Sequence, residues 1–534
     1  MSARVDTAVA VQTAKQETDS WLGSLPSLLI LFAVAKLGLQ LGITFLSTHA
    51  GYGIFRDELY YLVCGHRLAA GYVDQPPLAA LQARVAELLF GYRHLWAFRL
   101  LPALAGALMV ALTGLLAHAM GGSRKAAALA MLSVLTVPVY LATQSFVSMN
   151  AWDPVFWMAA ALALLRLLAA PQATGWWLLL GGGAGLALEN KASAVFLIAA
   201  LLLAVAATPA RRLLRTRGFL LAVGFTVLLA LPNLLWQATH GFPTWEWLHD
   251  VQHSDKDVLL LPPQFLLEQV LMLSPLHLLV WLPGVAWLLF SRRSRPWRSA
   301  GVLYLFFLAI MMALHAKDYY LAPVYPLLFA AGAVFWTNWA GCSAARKGVV
   351  AGYAALMTLS VVITAPMAVP VLSPANFVRY TRILHFAPID SEQHPGSAFP
   401  EFFADHLGWQ SLADSVSRVY HALPLGEQQQ TGIITGNYGQ ASAINILGRP
   451  LGLPVAISGH QNYWLWGPNG YTGKIMIVVT DEPLADLLHA YRSCTVADRQ
   501  TSRYAMPWEQ RYIYVCRDRF QPFSATWNQQ KYYR

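Results

Sequence analysis

The sequence predicts a polytopic α-helical membrane protein with about 11 transmembrane helices, followed by a C-terminal extracytoplasmic α/β domain. Three observations predict this class. Only 12% of the 534 residues are charged, 56% are hydrophobic, and long apolar runs recur between about residues 25 and 369. Since a soluble globular protein carries about 25% charged residues, most of the surface of this chain is expected to face lipid.

The apolar runs set the predicted topology. A helix needs roughly 20 residues to cross about 30 Å of hydrocarbon, and the fifth and ninth runs are the shortest. The predicted spans lie near Leu25–Leu46, Trp96–Met120, Ala126–Thr143, Ala151–Ala170, Trp176–Leu188, Ala192–Ala207, Phe219–Trp236, Phe265–Phe290, Ala300–Leu314, Leu321–Ala340 and Val349–Val369. We therefore predict a transmembrane domain over residues 25–369. Residues 1–24 are predicted to be a cytoplasmic tail, and the first run is predicted to stay as an anchor because it exceeds a signal-peptide core.

The distribution of basic residues orients these spans. The net charge is +10, but the Lys and Arg residues concentrate in every second break instead of forming a nucleic-acid-binding stripe. Cytoplasmic loops of membrane proteins have this excess of basic residues. The pattern predicts that the remaining breaks, and the domain over residues 370–534, lie outside the cytoplasm. The basic clusters are Arg124-Lys125, Arg211 to Arg217, Arg292 to Arg298 and Arg346-Lys347.

The first outer break contains two amphipathic segments, predicted as interfacial helices within residues 56–94. One runs from about Asp57 to Ala70, and the other follows Pro76-Pro77. Apolar residues recur at helical spacing along one face of each segment, which is typical of helices lying flat at lipid headgroups. The alternative is that they are ordinary loop helices that only contribute packing.

The C-terminal region alternates strand and helix patterns, which predicts a small α/β domain. The predicted helices are Gln440–Leu447 and Pro483–Tyr491, and the predicted strands are Ile433–Thr435, Pro454–Ile457, Lys474–Val479 and Tyr512–Val515. An oxidising compartment would allow a disulfide between Cys494 and Cys516. Two buried free thiols are the alternative.

Acidic, basic and aromatic residues gather at the outer ends of several spans. Each group has an ordinary explanation, such as a helix-start acid, a snorkelling lysine or an interfacial tyrosine. Together, on one face of one bundle, they predict a cavity in which carboxylates accept a proton and cations hold an anion. The members are Asp57, Glu58, Tyr61, Tyr72, Asp74, Asp153, Glu189, Lys191, Lys317, Tyr319 and Tyr320.

Two further polar features are treated separately. Lys36 lies in the middle of the first span and is predicted to face the bundle interior or a partner. The segment Asp255-Lys256-Asp257 is similar to an acid-x-acid metal site, but its hydrophilic surroundings favour a solvated loop. We find no zinc-type spacing of Cys and His. Whether a bound divalent metal assists in place of the lysines, or beside them, is left open by the sequence.

These residues resemble glycosyltransferase family 39 and its bacterial relatives, which include protein O-mannosyltransferases and lipid A aminoarabinose transferases and have the GT-C membrane fold. The resemblance covers nearly the whole chain from about Leu25, and its specificity comes from the order of short motifs. The motifs are Asp57-Glu58, Tyr72 to Pro77, Asp153, Lys191, Lys317 to Pro323, Asn437 to Ala441 and Ser458 to Pro468.

The resemblance implies an inverting glycosyltransferase of the bacterial inner membrane. At the outer leaflet it would move a hexosyl or pentosyl group from a polyprenyl-phosphate donor to a hydroxyl of a glycolipid, glycan or protein. The resemblance also implies that Asp57 is catalytic and that Lys191, Lys317, Tyr319 and Tyr320 lie near the donor phosphate. One position departs from the pattern. Gln75 stands where aminoarabinose transferases tend to have a lysine, which argues against aminoarabinose as the sugar.

Two other functional classes remain as alternatives. A transporter or flippase of a lipid-linked sugar would show inverted repeats and broken helices near the membrane midplane, whereas here the charges lie at outer junctions and no internal repeat is found. A glycan-binding receptor would not need Asp57, Lys191 and Lys317 together. Both comparisons favour the enzyme.

Overall fold

The computed structural model describes residues 24–252, 260–385, 399–506, 509 and 511–533. Except for Ser24, the predicted cytoplasmic tail lies outside these described residues, as does the segment Asp255-Lys256-Asp257. Within them, a mostly helical part precedes a small domain with a single five-stranded sheet. The predicted fold class is confirmed.

Among the described residues, seven helices are long and apolar enough to cross a membrane. Several begin at capping residues. Ser24 caps the first of them, its hydroxyl accepting a bond from the Ser27 amide, and Pro26 lies in the first turn. The seven helices are Leu25–His49, Leu100–Ala119, Met149–Ala169, Arg217–Thr239, Arg295–Ala313, Asp318–Ala340 and Ala344–Ala368.

The other predicted spans are bent or short helices. Two bent pairs raise the number of candidate spans in the described residues to nine if each pair is one span: Ala194–Ala206 with Pro209–Arg215, bent by 110°, and Pro262–Met272 with Pro275–Phe290, bent by 96°. The two remaining predicted runs are the third and the fifth. The third corresponds to the helix Arg124–Thr136, which is followed by Pro138–Ala142, and the fifth corresponds to Thr174–Asn190. The total of about 11 spans therefore stays a prediction.

Lys36 lies inside the helical bundle, as predicted. Its side chain is fully buried, and its ammonium donates to the carbonyl oxygen of Tyr140 at 3.1 Å. A charged group in so apolar an environment is costly unless it is paired with polar groups. The bond between Lys36 and Tyr140 therefore joins the first helix to the segment Pro138–Ala142.

The first long break folds into helices Arg56–His66, Leu78–Phe90 and Leu95–Phe98, and we call Arg56–His66 the first loop helix. Gly65 allows the first two of these helices to approach closely, since a Cβ atom there would lie 3.0 Å from the carbonyl oxygen of Ala80. A further helix in the break before the bent pair spans Pro243–Gln252. These short helices cover one end of the bundle.

The C-terminal sheet has the strand order β2-β1-β3-β5-β4. β1, β2 and β3 are parallel, whereas β5 runs antiparallel to both β3 and β4. β3 is central, and all of its apolar side chains are buried. The strands are β1 (Thr431–Thr435), β2 (Ala456–Ser458), β3 (Ile475–Thr480), β4 (Tyr491–Arg499) and β5 (Tyr512–Arg519).

The helices around this sheet are mostly short. Trp409–His421 and Tyr438–Leu447 are the longest that pack on it, and Pro374–Leu384 follows the last membrane helix. The predicted helix Pro483–Tyr491 is only Leu484–Leu487, because β4 begins at Tyr491. The remaining helical turns are Glu401–Ala404, Leu425–Gln428, Arg449–Leu451, Asn462–Trp466, Phe523–Thr526 and Trp527–Gln530.

A disulfide joins the two antiparallel strands at the edge of the sheet. Cys494 and Cys516 are directly opposite each other on β4 and β5, with Cα atoms 4.0 Å apart, and are disulfide-bonded. Of the two alternatives for this pair, the structure therefore has the disulfide. Cys64 and Cys342 are free.

The first loop helix and the C-terminal domain share one hydrophobic core. Leu59 and Leu62 of the helix belong to the same buried cluster as Trp409, Ile433 and Ile444 of the C-terminal domain. Most of this cluster has little solvent exposure, so separating the two regions would expose a large apolar area, at about 25 cal/mol for each Å². The C-terminal domain is therefore packed onto the part of the chain that carries Asp57 and Glu58.

Candidate functional site

The adjacent acids Asp57 and Glu58 lie in the first turn of the first loop helix, where carboxylates complement the helix dipole. Successive side chains of a helix point about 100° apart, so the two carboxylates enter different surroundings. The Asp57 side chain keeps 28% of its surface exposed, whereas Glu58 is fully buried. Only Asp57 is therefore accessible to a ligand.

Glu58, which was predicted as a binding residue, is fully buried and is hydrogen-bonded through both of its oxygens. Arg99 donates to both of its carboxylate oxygens, at 2.9 Å from Nε and 2.7 Å from Nη2. The backbone amides of Phe55 and Val147 complete the set, each at 2.9 Å. Every acceptor position is engaged, so Glu58 fixes the start of the first loop helix and has no oxygen left for a substrate.

Tyr72, also predicted as a binding residue, is likewise buried and hydrogen-bonded within the protein. Its side chain is 1% exposed, and its hydroxyl donates to the carbonyl oxygens of Cys64 at 3.0 Å and Arg67 at 3.3 Å. The Ala69 amide donates to the same hydroxyl at 3.2 Å. The tyrosine closes the C-terminal end of the first loop helix instead of facing a ligand.

The Asp57 carboxylate contacts the C-terminal domain. The hydroxyl of Tyr438 donates to Asp57 Oδ1 at 2.8 Å, and Arg56 Nε lies 3.5 Å from the same oxygen. In the part of the chain that the structure describes, no hydrogen-bond partner reaches Oδ2 of this carboxylate. One oxygen is thus held, and the other is available.

Asp74 also meets the C-terminal domain. Its Oδ1 accepts a bond from the Tyr60 hydroxyl at 2.9 Å and one from Asn462 Nδ2 at 3.3 Å. The Asn462 amide also donates to the Tyr60 hydroxyl, and its Oδ1 accepts from the Val73 amide at 3.1 Å. Asn462 therefore ties the first loop helix to the Tyr72 to Pro77 segment.

Arg56 anchors this junction through ion pairs. Its Nη1 lies 3.1 Å from Asp405 Oδ2 and 3.5 Å from Glu401 Oε1, and both acids belong to the C-terminal domain. A buried cation surrounded by carboxylates is stable only while the pairs are intact. Arg56 consequently fixes the first turn of the first loop helix, which carries Asp57.

The lysine side of the site lies where membrane helices end. Lys191 is buried between Thr174–Asn190 and Ala194–Ala206, and its ammonium donates to Asn150 Oδ1 at 2.8 Å. The same nitrogen lies 4.1 Å from the ring centre of Tyr320 and 5.0 Å from that of Tyr319, within cation–π range. Lys191, Tyr319 and Tyr320 thus come together as predicted.

Two charged groups flank Lys191. Burial lowers the pKa of Lys191 to about 8, the nearby Asp153 carboxylate opposes that shift, and Lys317 adds to it. Asp153 is itself buried, and its Oδ1 has no hydrogen-bond partner in the described residues. Two cations and one acid are therefore gathered at this rim.

Tyr61 interacts electrostatically with groups on both sides of the site. It projects from the first loop helix and is 4% exposed. Burial raises the pKa of Tyr61, and the carboxylates of Asp57 and Asp74 and the hydroxyl of Tyr319 raise it further, which places all three groups nearby. Tyr61 is thus within electrostatic range of Asp57 and of Tyr319, whose ring centre lies 5.0 Å from the Lys191 ammonium.

Glu189 lies apart from the lysines. Although it is only two residues from Lys191, no ion pair joins them in the described residues. Its carboxylate lies beside Asn233 of the neighbouring helix Arg217–Thr239, and its Oε1 has no partner among the described residues. The structure thus gives Glu189 and Lys191 different neighbours, and the proposed binding role of Glu189 has no geometric support.

The residues of the site that were not predicted include Arg56, Asp405, Tyr438 and Asn462. The sequence motifs around Tyr438 and Asn462 indicated the family resemblance but carried no signal of contact with Asp57. Within the described residues, no group of three or more His, Cys, Asp or Glu is arranged to hold a metal ion. The role of a metal stays an open prediction.

Comparison with known proteins finds relatives in sequence. Residues 74–236 match the family described as dolichyl-phosphate-mannose-protein mannosyltransferase. The lipid A galacturonosyltransferase RgtD of Rhizobium johnstonii is 27% identical over 204 residues, which make up 37% of this chain and 41% of that protein. The matched region is thus less than half the length of this relative.

Solved structures are similar over more of the chain. The crystal structure of ArnT from Cupriavidus metallidurans bound to undecaprenyl phosphate has a TM-score of 0.58 at 15% identity, and the match covers 91% of this chain and 97% of ArnT. The oligosaccharyltransferase AglB from Archaeoglobus fulgidus, in complex with an inhibitory peptide and a dolichol-phosphate, gives 0.50 at 12% identity, covering 82% and 65%.

At these identities the solved structures establish the fold alone, and the sequence matches cover only part of the chain. The predicted resemblance is confirmed by both. With its apolar helices, the chain is an integral membrane protein that has the GT-C fold of the ArnT structure, and over residues 74–236 its sequence is similar to the mannosyltransferase family.

Proposed function

We propose that the protein is an inverting glycosyltransferase that moves a sugar from a polyprenyl-phosphate donor to a hydroxyl of a glycolipid, glycan or protein at the outer face of the inner membrane. The observation that carries this proposal is the Asp57 carboxylate. It has one oxygen held by Tyr438 and the other open. Tyr61 lies within electrostatic range of both Asp57 and Tyr319, and the ring centre of Tyr319 is 5.0 Å from the Lys191 ammonium.

In the proposed reaction Asp57 acts as general base. It takes the proton of the acceptor hydroxyl while the oxygen attacks the anomeric carbon on the face opposite the phosphate. The bond from that carbon to the phosphate oxygen breaks, and the polyprenyl phosphate leaves as an anion. General base catalysis of this kind contributes about 10²–10⁴-fold in rate.

The lysine side suits the leaving phosphate. Lys191 and Lys317 supply positive charge near Tyr319 and Tyr320, in surroundings that burial keeps poorly hydrated. A fixed donor in such a site stabilises developing negative charge by about 3 kcal/mol. The names of similar proteins support this choice of donor, since ArnT was crystallised with undecaprenyl phosphate and AglB was studied with a dolichol-phosphate.

The acceptor side is less defined. Gln75, at the position where aminoarabinose transferases tend to have a lysine, is 1% exposed and donates to the Cys64 sulfur at 3.6 Å. It therefore adds no cation to the site, which is consistent with a sugar other than aminoarabinose. The similar RgtD is named as acting on lipid A, which makes a glycolipid the first acceptor class to test.

The test begins with cells that contain or lack this chain. Mass spectrometry of their glycolipids and glycoproteins is expected to reveal one sugar addition that depends on the chain. The purified protein, mixed with the unmodified acceptor and a lipid extract from the deletion cells, should then reproduce that addition. If the purified protein only moves the lipid-linked sugar across vesicles and forms no product, the flippase alternative replaces the enzyme.

A further inference from the structure

The C-terminal domain places one residue, Tyr438, at a defined position above the first loop helix. Tyr438 begins the helix Tyr438–Leu447, which Asn437 caps by accepting a bond from the Gln440 amide at 2.9 Å. The Asn437 side chain is itself fixed, because its amide donates to Glu509 Oε1 at 3.0 Å. The turn, the cap and the helix therefore fix the position of Tyr438.

The ring of Tyr438 is enclosed on several sides. The ring centre of Tyr60 lies 4.6 Å away, that of His460 lies 5.0 Å away, and the Arg56 guanidinium carbon lies 5.6 Å away. Burial raises the pKa of Tyr438, and the carboxylates of Asp57 and Asp74 raise it further, against the effect of Arg56. The hydroxyl thus keeps its proton at neutral pH and remains a donor.

This donor engages one side of Asp57 only. The Tyr438 hydroxyl and Arg56 Nε both approach Oδ1 of Asp57, while Oδ2 has no partner in the described part of the chain. A carboxylate held by one oxygen cannot rotate freely, so its other oxygen keeps a fixed direction. Residues from opposite ends of the sequence create this arrangement.

We propose that Tyr438 is a positioning residue of the C-terminal domain that orients Asp57 so that Oδ2 receives the acceptor proton. The inference rests on the proposed function, in which Asp57 is the general base. It makes the C-terminal domain part of the catalytic site and not only a surface for acceptor binding.

A simpler role for Tyr438 is to hold the two domains together. Both roles use the same hydrogen bond, so stability alone does not distinguish them. They differ in the pH dependence of the rate, because removing a donor from a carboxylate favours its protonated form. A positioning residue alters kcat as well as the rate profile, whereas a residue that only packs the domains together lowers the thermal stability and leaves kcat unchanged.

The experiment measures transfer by full-length Tyr438→Phe, Asp57→Asn and wild-type protein across a range of pH. For Tyr438→Phe we expect kcat to fall by about 10- to 100-fold, KM to change little, and the acidic limb of the profile to move to higher pH. Tyr471→Phe is the matched control, because it removes a hydroxyl that donates to Val455 within the same domain, remote from Asp57. Its profile should equal that of the wild type.

The outcomes separate the two proposals. Absence of transfer by the wild type overturns the proposed function. Transfer by the wild type and by Tyr438→Phe with the same kcat and the same profile, while Asp57→Asn is inactive, overturns only the inference about Tyr438. If Tyr438→Phe does not fold, fluorotyrosine at position 438 keeps the ring and strengthens the donor. The acidic limb should then move to lower pH, and an unmoved limb overturns the inference.

Discussion

The two sides of the candidate site are built in different ways. On the lysine side, Lys191, Asp153 and Tyr320 all come from the ends of membrane helices, and their charges are brought together by the bundle itself. On the carboxylate side, Asp57 and Asp74 come from the first long break, but their partners Tyr438 and Asn462 come from the C-terminal domain. One side therefore depends on the membrane fold alone, and the other requires two domains to dock.

This difference assigns different tasks to the two sides. A donor that stays in the membrane can be recognised by groups on membrane helices, whatever the acceptor is. In the proposed reaction, an acceptor that arrives from outside meets the general base, Asp57, where the C-terminal domain packs onto the first loop helix. We expect changes on the lysine side to alter donor binding, and changes on the carboxylate side to alter the chemical step or the docking of the domains.

Asp57→Asn is the largest expected effect. The amide cannot accept a proton, so transfer should fall by at least the 10²–10⁴-fold that a general base contributes. Because Asp57 is partly exposed and the amide oxygen can still accept the bond from Tyr438, folding and membrane insertion should be unchanged. Full transfer by the purified variant would remove Asp57 from the mechanism.

Arg99→Met tests whether the neighbouring acid has the opposite, structural role. It leaves Glu58 buried without its cation, which is expected to destabilise the protein by about 3–5 kcal/mol. Thermal unfolding in detergent measures this loss. The double variant Glu58→Leu with Arg99→Met removes both charges and should recover much of the stability. An unchanged melting temperature for Arg99→Met would contradict the structural role of Glu58.

Lys191→Met examines the lysine side. Loss of the cation should weaken donor use by about 100-fold, corresponding to about 3 kcal/mol. Since burial lowers the pKa of Lys191 to about 8, the cation is present below that pH and is lost as the pH rises through it. Transfer by the wild type, measured as kcat/KM, which reports the free enzyme, should therefore fall above pH 8.

Lys191→Arg is the matched variant for this pH effect. A guanidinium stays charged over the whole range, so the fall above pH 8 should disappear even if the absolute rate is lower. If both proteins lose activity at the same pH, another group is responsible for the alkaline limb. The comparison thus isolates the charge of Lys191 from its shape.

The sequence predicts the membrane part of the fold because the signal for a membrane helix, a continuous apolar run, can be read directly from the sequence. Runs such as Leu25–Leu46 and Ala151–Ala170 must be apolar wherever they pack, and they correspond to helices Leu25–His49 and Met149–Ala169. β4 has no such signal. It is an edge strand with mostly exposed polar side chains, and neither a hydrophobic run nor an alternating pattern distinguishes it from a loop.

The same limit applies to the site. Asp57 and Lys191 could be proposed because acidic, basic and aromatic residues gather at the outer ends of several predicted spans. Tyr438 and Asn462 are ordinary residues at a helix start in a water-exposed domain, and only three-dimensional packing brings them to Asp57 and Asp74. The ion pair between Glu58 and Arg99 was not predicted, because the two residues are 41 positions apart in the sequence.

Asn462→Leu is the smallest expected effect and tests the docking itself. It removes the amide that donates to Asp74 and leaves the buried Val73 amide without its acceptor. A buried group left unpaired costs about 1–3 kcal/mol, so the variant should unfold at lower temperature and lose some kcat while keeping its apparent affinity for donor. Asn445→Leu is the control, since it likewise removes an amide that accepts from a backbone N–H, that of Ala456, but within the C-terminal domain. If Asn462→Leu changed donor affinity as strongly as Lys191→Met, the two sides of the site would not be separate in function.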